Sequence, residues 1–313
     1  MKGLELSKRF YEEHGRPMLE GQFSHILHLI AVGLAGSGSE CLGYDDSISE
    51  DHDFEPGFCI FIPDESILDR RTAFLLERAY AKLPKEFLGY KRSPLSPVGG
   101  NRHGVMLLSD FVRDKSGSPD GALSPSGWLT VPEQSLLELT GGEIFFDGSG
   151  QISEIRGRLS YLPDDIRLKK LSGELLIMGQ SGQYNYPRCV SRGDGAAAQL
   201  CIFELVKAAM HTAFLLNRKY MPYYKWSFKA LRELEALCDI APTLEYLITS
   251  ANDGEAVGKK LNAIEEISEA VINVLKAQGL TKFEGNALEG HAYSVNAVIK
   301  DVQIRNLHIL AGV

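Results

Sequence analysis

A chain of 313 residues, 44% hydrophobic and 24% charged, can bury a sizeable core and has the make-up of an ordinary globular protein, which excludes fibrous, collagenous and wholly disordered classes. Its net charge of −8 is carried by the first half: residues 1–163 hold 16 Lys+Arg against 24 Asp+Glu, and residues 164–313 hold 17 of each. That balance argues against a nucleic-acid-binding face, which normally shows a basic stripe.

In chain order, residues 4–14 have the spacing of a short helix, stopped by Gly15 and Pro17. Residues 22–35 read as a helix running into a strand, with Gly33 marking the change. The apolar stretch 26–35 contains His28 and Gly33 and falls short of the roughly 20 residues of a membrane span. With no apolar targeting segment ahead of it, the expectation is a cytoplasmic protein with no membrane contact. Five scattered cysteines without a CxxC pair argue for reduced thiols rather than a disulfide framework. His25 and His28 lack a third ligand for zinc.

Residues 58–62 form a strongly apolar run ended by Pro63, and 64–83 have helical spacing. Pro and Gly make 89–100 a loop, and 105–108 is a candidate third strand. A second loop over 114–127 leads to a helix near 132–139. Residues 141–150 read as a strand closed by a Gly-Ser-Gly turn. Beyond Ile152 the pattern is helical: 156–178, 196–220, 228–237, 243–250, 254–278 and 293–310. The expected fold class is therefore α+β, with an α/β domain over 1–155 followed by an all-helical bundle domain over 156–313.

The segment with most chemistry runs from Gly36 to Asp53. No Lys or Arg occurs from Pro17 to Asp69, a stretch with eleven acids. Such density is either a solvated acidic loop or a set of carboxylates that a cation joins. Gly36, Ser37 and Gly38 follow an apolar run, so their backbone N–H groups can turn toward a phosphate. Asp51 and Asp53 alternate with His52, which on an extended segment puts both carboxylates on one face. Hard oxygen donors of this kind suit Mg²⁺.

These residues resemble the nucleotidyltransferase superfamily of the DNA polymerase β type. Its pattern is a hydrophobic residue, Gly-Gly/Ser, about ten residues, then Asp-x-Asp; it stands here as Ala35-Gly36-Ser37 and Asp51-His52-Asp53. The second half resembles the helical domain of aminoglycoside-type nucleotidyltransferases, through Gly142 to Asp147 before it, Arg188 to Asp194 opening a helix, then Phe214 to Asn217 and Tyr220 to Trp226. Taken together, the likeness is to an uncharacterised bacterial family of nucleotidyltransferase-like proteins. The resemblance implies a five-stranded or similar mixed sheet with flanking helices carrying the metal site, closed by a helical bundle.

It further implies transfer of a nucleoside monophosphate, AMP from ATP or another NTP, to a hydroxyl of a small acceptor. Two Mg²⁺ ions would be held mainly by Asp51 and Asp53, and Ser37 with its neighbouring amides would hold the phosphates. Arg192 and Lys225 stand at the matching places in the helical half as candidate triphosphate ligands; a helix-start salt bridge and a surface lysine are the plain alternatives. The superfamily's third carboxylate has no match in the strand at 105–108. Asp110, Asp147 and Glu204 are the candidates, the last because burial in an apolar helix would raise its pKa and suit it to a base. Tyr184, Asn185 and Tyr223 are candidates for an acceptor pocket. The alternatives in function are transfer to a macromolecule such as a tRNA end or a protein, and a catalytically silent nucleotide sensor.

Overall fold

The structure is a computed structural model that describes residues 1–49, 54–93 and 102–313. The chain forms two compact units, one of Met1–Leu123 with Gln134–Ser160 and one of Ser124–Glu133 with Tyr161–Val313. The fold is α+β: all strands among the described residues precede Gly148, and the remainder of the chain is helical.

In the first unit, α1 (Gly3–Phe10) buries Gly3, Leu6, Ser7 and Phe10, the i, i+3, i+4, i+7 face of a helix. A π-helical turn, Tyr11–Gly15, leads directly into α2 (Arg16–Gln22). The expected stop at Gly15 and Pro17 therefore does not occur. Pro17 sits in the first turn of α2, where a missing N–H costs little. Gly15 is needed for space, since a Cβ there would lie 2.8 Å from Phe58 Cε1.

A 3₁₀ turn, Ser24–Leu29, precedes β1 (Ala31–Leu34), so the chain changes to strand at Ile30 rather than at Gly33. Gly33 lies within the strand, where the backbone of a neighbour comes close: a Cβ would be 2.6 Å from the Glu143 carbonyl oxygen. Then follow α3 (Ser39–Leu42), β2 (Cys59–Ile62) and α4 (Arg70–Ala81), whose Asp69 cap accepts from the Arg71 and Thr72 amides. A small hairpin of β3 (Glu86–Phe87) and β4 (Tyr90–Lys91) was not legible in the sequence. After it come β5 (Gly104–Leu107), α5 (Leu108–Ser116), α6 (Pro125–Thr130), which belongs to the second unit, α7 (Glu133–Thr140), β6 (Glu143–Asp147) and α8 (Gln151–Arg158).

The mixed sheet has the order β5-β2-β1-β6. β1 is antiparallel to both β2 and β6, while β2 and β5 are parallel. A register shift in the β1–β6 pairing falls between Val32 and Gly33. The α1–α2 segment and α4 pack with this sheet in one cluster that includes Phe10, Tyr11, Ile30, Val32, Phe58, Ile60 and Tyr80. The Tyr80 hydroxyl donates to the Phe58 carbonyl at 2.8 Å, so its polar end is satisfied inside the core.

The second unit is built around α9 (Asp164–Met178), nearly every residue of which is buried, and α11 (Gly195–Leu216). Around them stand α10 (Tyr186–Ser191), α12 (Tyr224–Leu231), α13 (Ala241–Thr249), α14 (Gly254–Ala277), α15 (Leu288–Ala297) and α16 (Val302–Asn306). At 22 residues α11 is long and apolar enough to cross a membrane by length and composition, but most of its apolar window is buried inside the protein. A helix such as α9, buried on all sides, must satisfy its own charges. Lys169 does so by donating to Asn296 Oδ1 and to the Arg305 and Leu307 carbonyls, and Lys170 by donating to the Gly312 carbonyl.

Candidate functional site

The sheet register decides which residues share an end. Leu34 pairs with Glu143, Gly33 with Cys59, and Cys59 with Gly104. The chain leaving β1 at Gly36 and Ser37 therefore meets the starts of β2, β5 and β6. Asp147 is at the far end, paired with Ala31.

Two glycines shape this turn. Gly36 has φ +116° and Gly38 +139°, conformations that an L side chain rarely adopts. A Cβ on Gly38 would also run into Arg102 and Glu40. A pocket of about 300 Å³ opens here, lined by Gly36, Ser37, Cys41, Arg102, His103 and Lys115 among others. That is the lower end of the range for small-molecule sites.

The pocket's cations come from outside the acidic stretch. Arg102 stands two residues before β5, and its Nη2 donates to the Ser37 carbonyl at 2.5 Å and pairs with Glu40. Lys115, in the last turn of α5, pairs with Glu138 at 2.9 Å and Asp114 at 3.0 Å. Burial acts to lower its pKa, but these two carboxylates outweigh burial and raise it, so the ammonium charge is secure. Neither cation was singled out in the sequence; the usable signal was Arg102-His103 immediately ahead of a strand. One expectation needs correcting: the Gly36 amide does not face a ligand, because it donates to the Glu138 carbonyl at 3.0 Å.

Other acids of the stretch are also engaged. Asp45 is buried and accepts from the Gly3 amide at 2.7 Å, with Lys2 3.4 Å from its other oxygen. Glu55 Oε1 lies 3.5 Å from His103 Nδ1, and its other oxygen takes the Ser93 amide. Burial acts to raise the Glu55 pKa, but His103 and Ser93 hold it down to about 2.

Asp51 and Asp53 lie outside the described residues. Among the described residues no group of three or more His, Cys, Asp or Glu is placed to hold a metal ion. The third-carboxylate candidates each have another engagement. Asp147 accepts from the Gly150 amide at 2.8 Å and the Ser153 amide at 3.0 Å, which caps α8. Asp110 pairs with Arg113 at 2.6 Å. Glu204 corrects an expectation outright: it is exposed on α11 and pairs with Lys207 at 3.5 Å, so the burial that would have suited it to a base does not occur.

Arg192 and Lys225 belong to the second unit, and both are exposed. Arg192 ends α10, and Asp194 beside it caps α11 by accepting from the Ala197 amide. Lys225 and Lys229 lie 5.0 and 5.5 Å from the Trp226 ring centroid, one turn of α12 apart.

The second unit also holds an ionic cluster that sequence reading passed over. His211 stands between two carboxylates, with Nδ1 2.6 Å from Glu174 Oε1 and Nε2 2.9 Å from Glu133 Oε1. Lys170 is 3.5 Å from the same Glu133 oxygen. Burial acts to lower the His211 pKa, but the two glutamates outweigh it and push the pKa up to about 9. Tyr161 and Tyr220, with ring centroids 5.3 Å apart, are raised by burial and by the Glu133 charge. Single residues dispersed over three helices gave no motif to find.

Residues 128–227 match a family model described as a domain of unknown function (DUF4037). No curated protein matches the chain. The matched segment contains Glu133, Glu174, Arg192, His211 and Lys225, and thus the ionic cluster along with both candidate triphosphate ligands.

Proposed function

We propose that this protein is a Mg²⁺-dependent nucleotidyltransferase that moves a nucleoside monophosphate, AMP in the first instance, from a triphosphate to a hydroxyl of a small acceptor. The observation that carries the reading is the turn at Gly36–Gly38. It leaves the central strand β1 with two positive-φ glycines and opens on a pocket containing Arg102 and Lys115. A small-residue turn with cations beside it is what a polyphosphate requires.

The donor set at Asp51 and Asp53 is two hard carboxylates in an alternating pair, a chemistry that fits Mg²⁺. When bound, the ion supplies neutralisation of the phosphates and of the departing pyrophosphate. Arg102 and Lys115, paired in the free protein with Glu40 and with Glu138 and Asp114, are the cations that would turn to the phosphates, and Ser37 lies exposed on the turn. By the resemblance alone, Arg192 and Lys225 remain candidate triphosphate ligands. Capped Asp147 and exposed Glu204 favour one other reading, a nucleotide-binding protein without transferase activity.

The test is incubation of the protein with Mg²⁺ and α-labelled nucleoside triphosphates in cell extract, followed by identification of the labelled product. Label transfer that disappears in Asp51→Asn and Asp53→Asn supports the enzyme. Tight nucleotide binding with no label on any acceptor supports the sensor, and labelled tRNA or protein replaces the small acceptor with a macromolecule. Neither binding nor transfer ends the nucleotide reading.

A further inference from the structure

Two of the five cysteines face one another across the α10–α11 turn. Cys189 Sγ and Cys201 Sγ are 3.9 Å apart, in van der Waals contact. Both residues are half-buried, so small solutes reach them, whereas Cys41 and Cys59 are enclosed in the first unit and burial pushes both thiols up to about 12. The turn between the facing pair is tightly held. The Asp194 amide donates to the Cys189 carbonyl at 3.0 Å and the Gly193 amide to the Val190 carbonyl at 2.9 Å. Gly193 takes φ +70°, and Asp194 caps the next helix. The backbone of the turn that joins the two cysteine-bearing helices is thus held by its own hydrogen bonds.

We propose that Cys189 and Cys201 are a redox-active thiol pair that a peroxide converts reversibly to a disulfide, clasping the turn that carries Arg192. A disulfide needs the sulfurs at about 2.05 Å. The chemistry balances with hydrogen peroxide as oxidant. The Cys189 thiolate attacks one peroxide oxygen, the O–O bond breaks, and hydroxide leaves and is protonated to water, giving a sulfenic acid. The Cys201 sulfur then attacks the Cys189 sulfur. The S–O bond breaks, the S–S bond forms, and hydroxide leaves with the Cys201 proton as a second water. The pair loses two electrons and the peroxide gains them.

The surroundings bear on the order. Burial, with the hydrogen bond and charge of Cys189, pushes the Cys201 thiol up to about 11, which favours Cys201 as the resolving thiol; attack in either order gives the same disulfide. This inference does not depend on nucleotide chemistry, and its test reads mass alone.

The full-length native protein is treated with hydrogen peroxide at pH 8, freed of peroxide, alkylated with a maleimide in denaturant so that all five thiols are reached, and analysed intact and after trypsin. The expected result is loss of two hydrogens, two of the five thiols blocked from alkylation, and a reducible link between the tryptic peptides 189–192 and 193–207. Dithiothreitol restores all five. In Cys201→Ser the link is absent and Cys189 is trapped by dimedone as its sulfenic acid, with an unchanged circular dichroism spectrum showing that the fold is kept. Five alkylated thiols after peroxide, or a link to Cys238 instead, overturns the proposal.

Discussion

Replacing His211 with glutamine isolates the charge that this residue holds. A neutral imidazole has one N–H. His211 has a carboxylate oxygen against each ring nitrogen, at 2.6 and 2.9 Å, so both contacts are hydrogen bonds only when the ring is protonated. Its pKa is about 9 in the folded protein, against an ordinary value of 6.5. A group whose pKa is raised by folding contributes stability that is fully present below the unfolded value and is lost as pH rises through the folded one. Here the folded state binds more protons between about pH 6.5 and 9, so stability falls with pH across that window. About 2.5 pKa units at about 1.4 kcal/mol each give about 3–4 kcal/mol as a ceiling.

The assay is urea unfolding at pH 6, 7, 8, 9 and 10, followed by tryptophan fluorescence. Both tryptophans, Trp128 and Trp226, are in the second unit, so the signal reports that unit. The stability gap between the native protein and His211→Gln should be widest near pH 6 and narrow by up to about 3–4 kcal/mol by pH 10. Groups common to both proteins cancel in the difference. A gap that stays constant over the series would show that His211 is not charged in the folded state, and the argument from its two carboxylates would be wrong.

Two further perturbations address the first unit. Gly38→Ala places a Cβ at φ +139° and against Arg102, so it should weaken nucleotide binding tenfold or more and cost about 1–3 kcal/mol of stability; titration with a fluorescent ATP analogue, alongside thermal unfolding, reads both. Asp147→Ala removes the acceptor for the Gly150 and Ser153 amides and should cost about 1 kcal/mol, seen by circular dichroism as a lower unfolding midpoint, while nucleotide affinity is unchanged; a loss of affinity without a loss of stability would restore Asp147 to the site.

Long periodic segments were legible because burial of a helix stripe or a strand face leaves its period in the sequence. The run at 254–278 is α14 to within a residue, and the apolar run at 58–62 is β2. Where the reading failed, a local signal was overruled by packing. Pro17 did not stop the first helical segment because it falls where no N–H is required, and Gly33 marked a close backbone approach rather than an element boundary. The Gly-Ser turn was legible, since glycine alone tolerates its backbone. Its partners Arg102 and Lys115 were not, because parallel pairing of β5 with β2 and the position of α5 bring them to the turn from 65 or more residues away. Glu204 was misread because apolar neighbours along a helix do not establish which side of it is buried.

The acidic stretch invites the inference that a metal ion holds it together, and the pairing of its members argues otherwise. Glu40 is matched by Arg102, Asp45 by Lys2 and the first amide of α1, and Glu55 by His103 and the Ser93 amide. Asp46 caps its own turn by accepting from the Ile48 and Ser49 amides, and Asp64 accepts from the Ser109 hydroxyl. Apart from one buried oxygen of Asp45, which has only Lys2 at 3.4 Å, these carboxylates are satisfied by the chain itself, so the case for a metal at Asp51 and Asp53 rests on their own spacing, not on surrounding charge. The folded state should then not need the ion. Without nucleotide, replacing millimolar Mg²⁺ by a chelator should move the thermal midpoint by less than about 1 °C, because a ligand stabilises only in proportion to ln(1 + [L]/Kd) and a two-carboxylate site alone is weak. With ATP present, Mg²⁺ should raise the midpoint by several degrees, since phosphate oxygens complete the coordination shell. A large shift on Mg²⁺ alone would mean that the acidic stretch is cross-linked by the metal before nucleotide arrives.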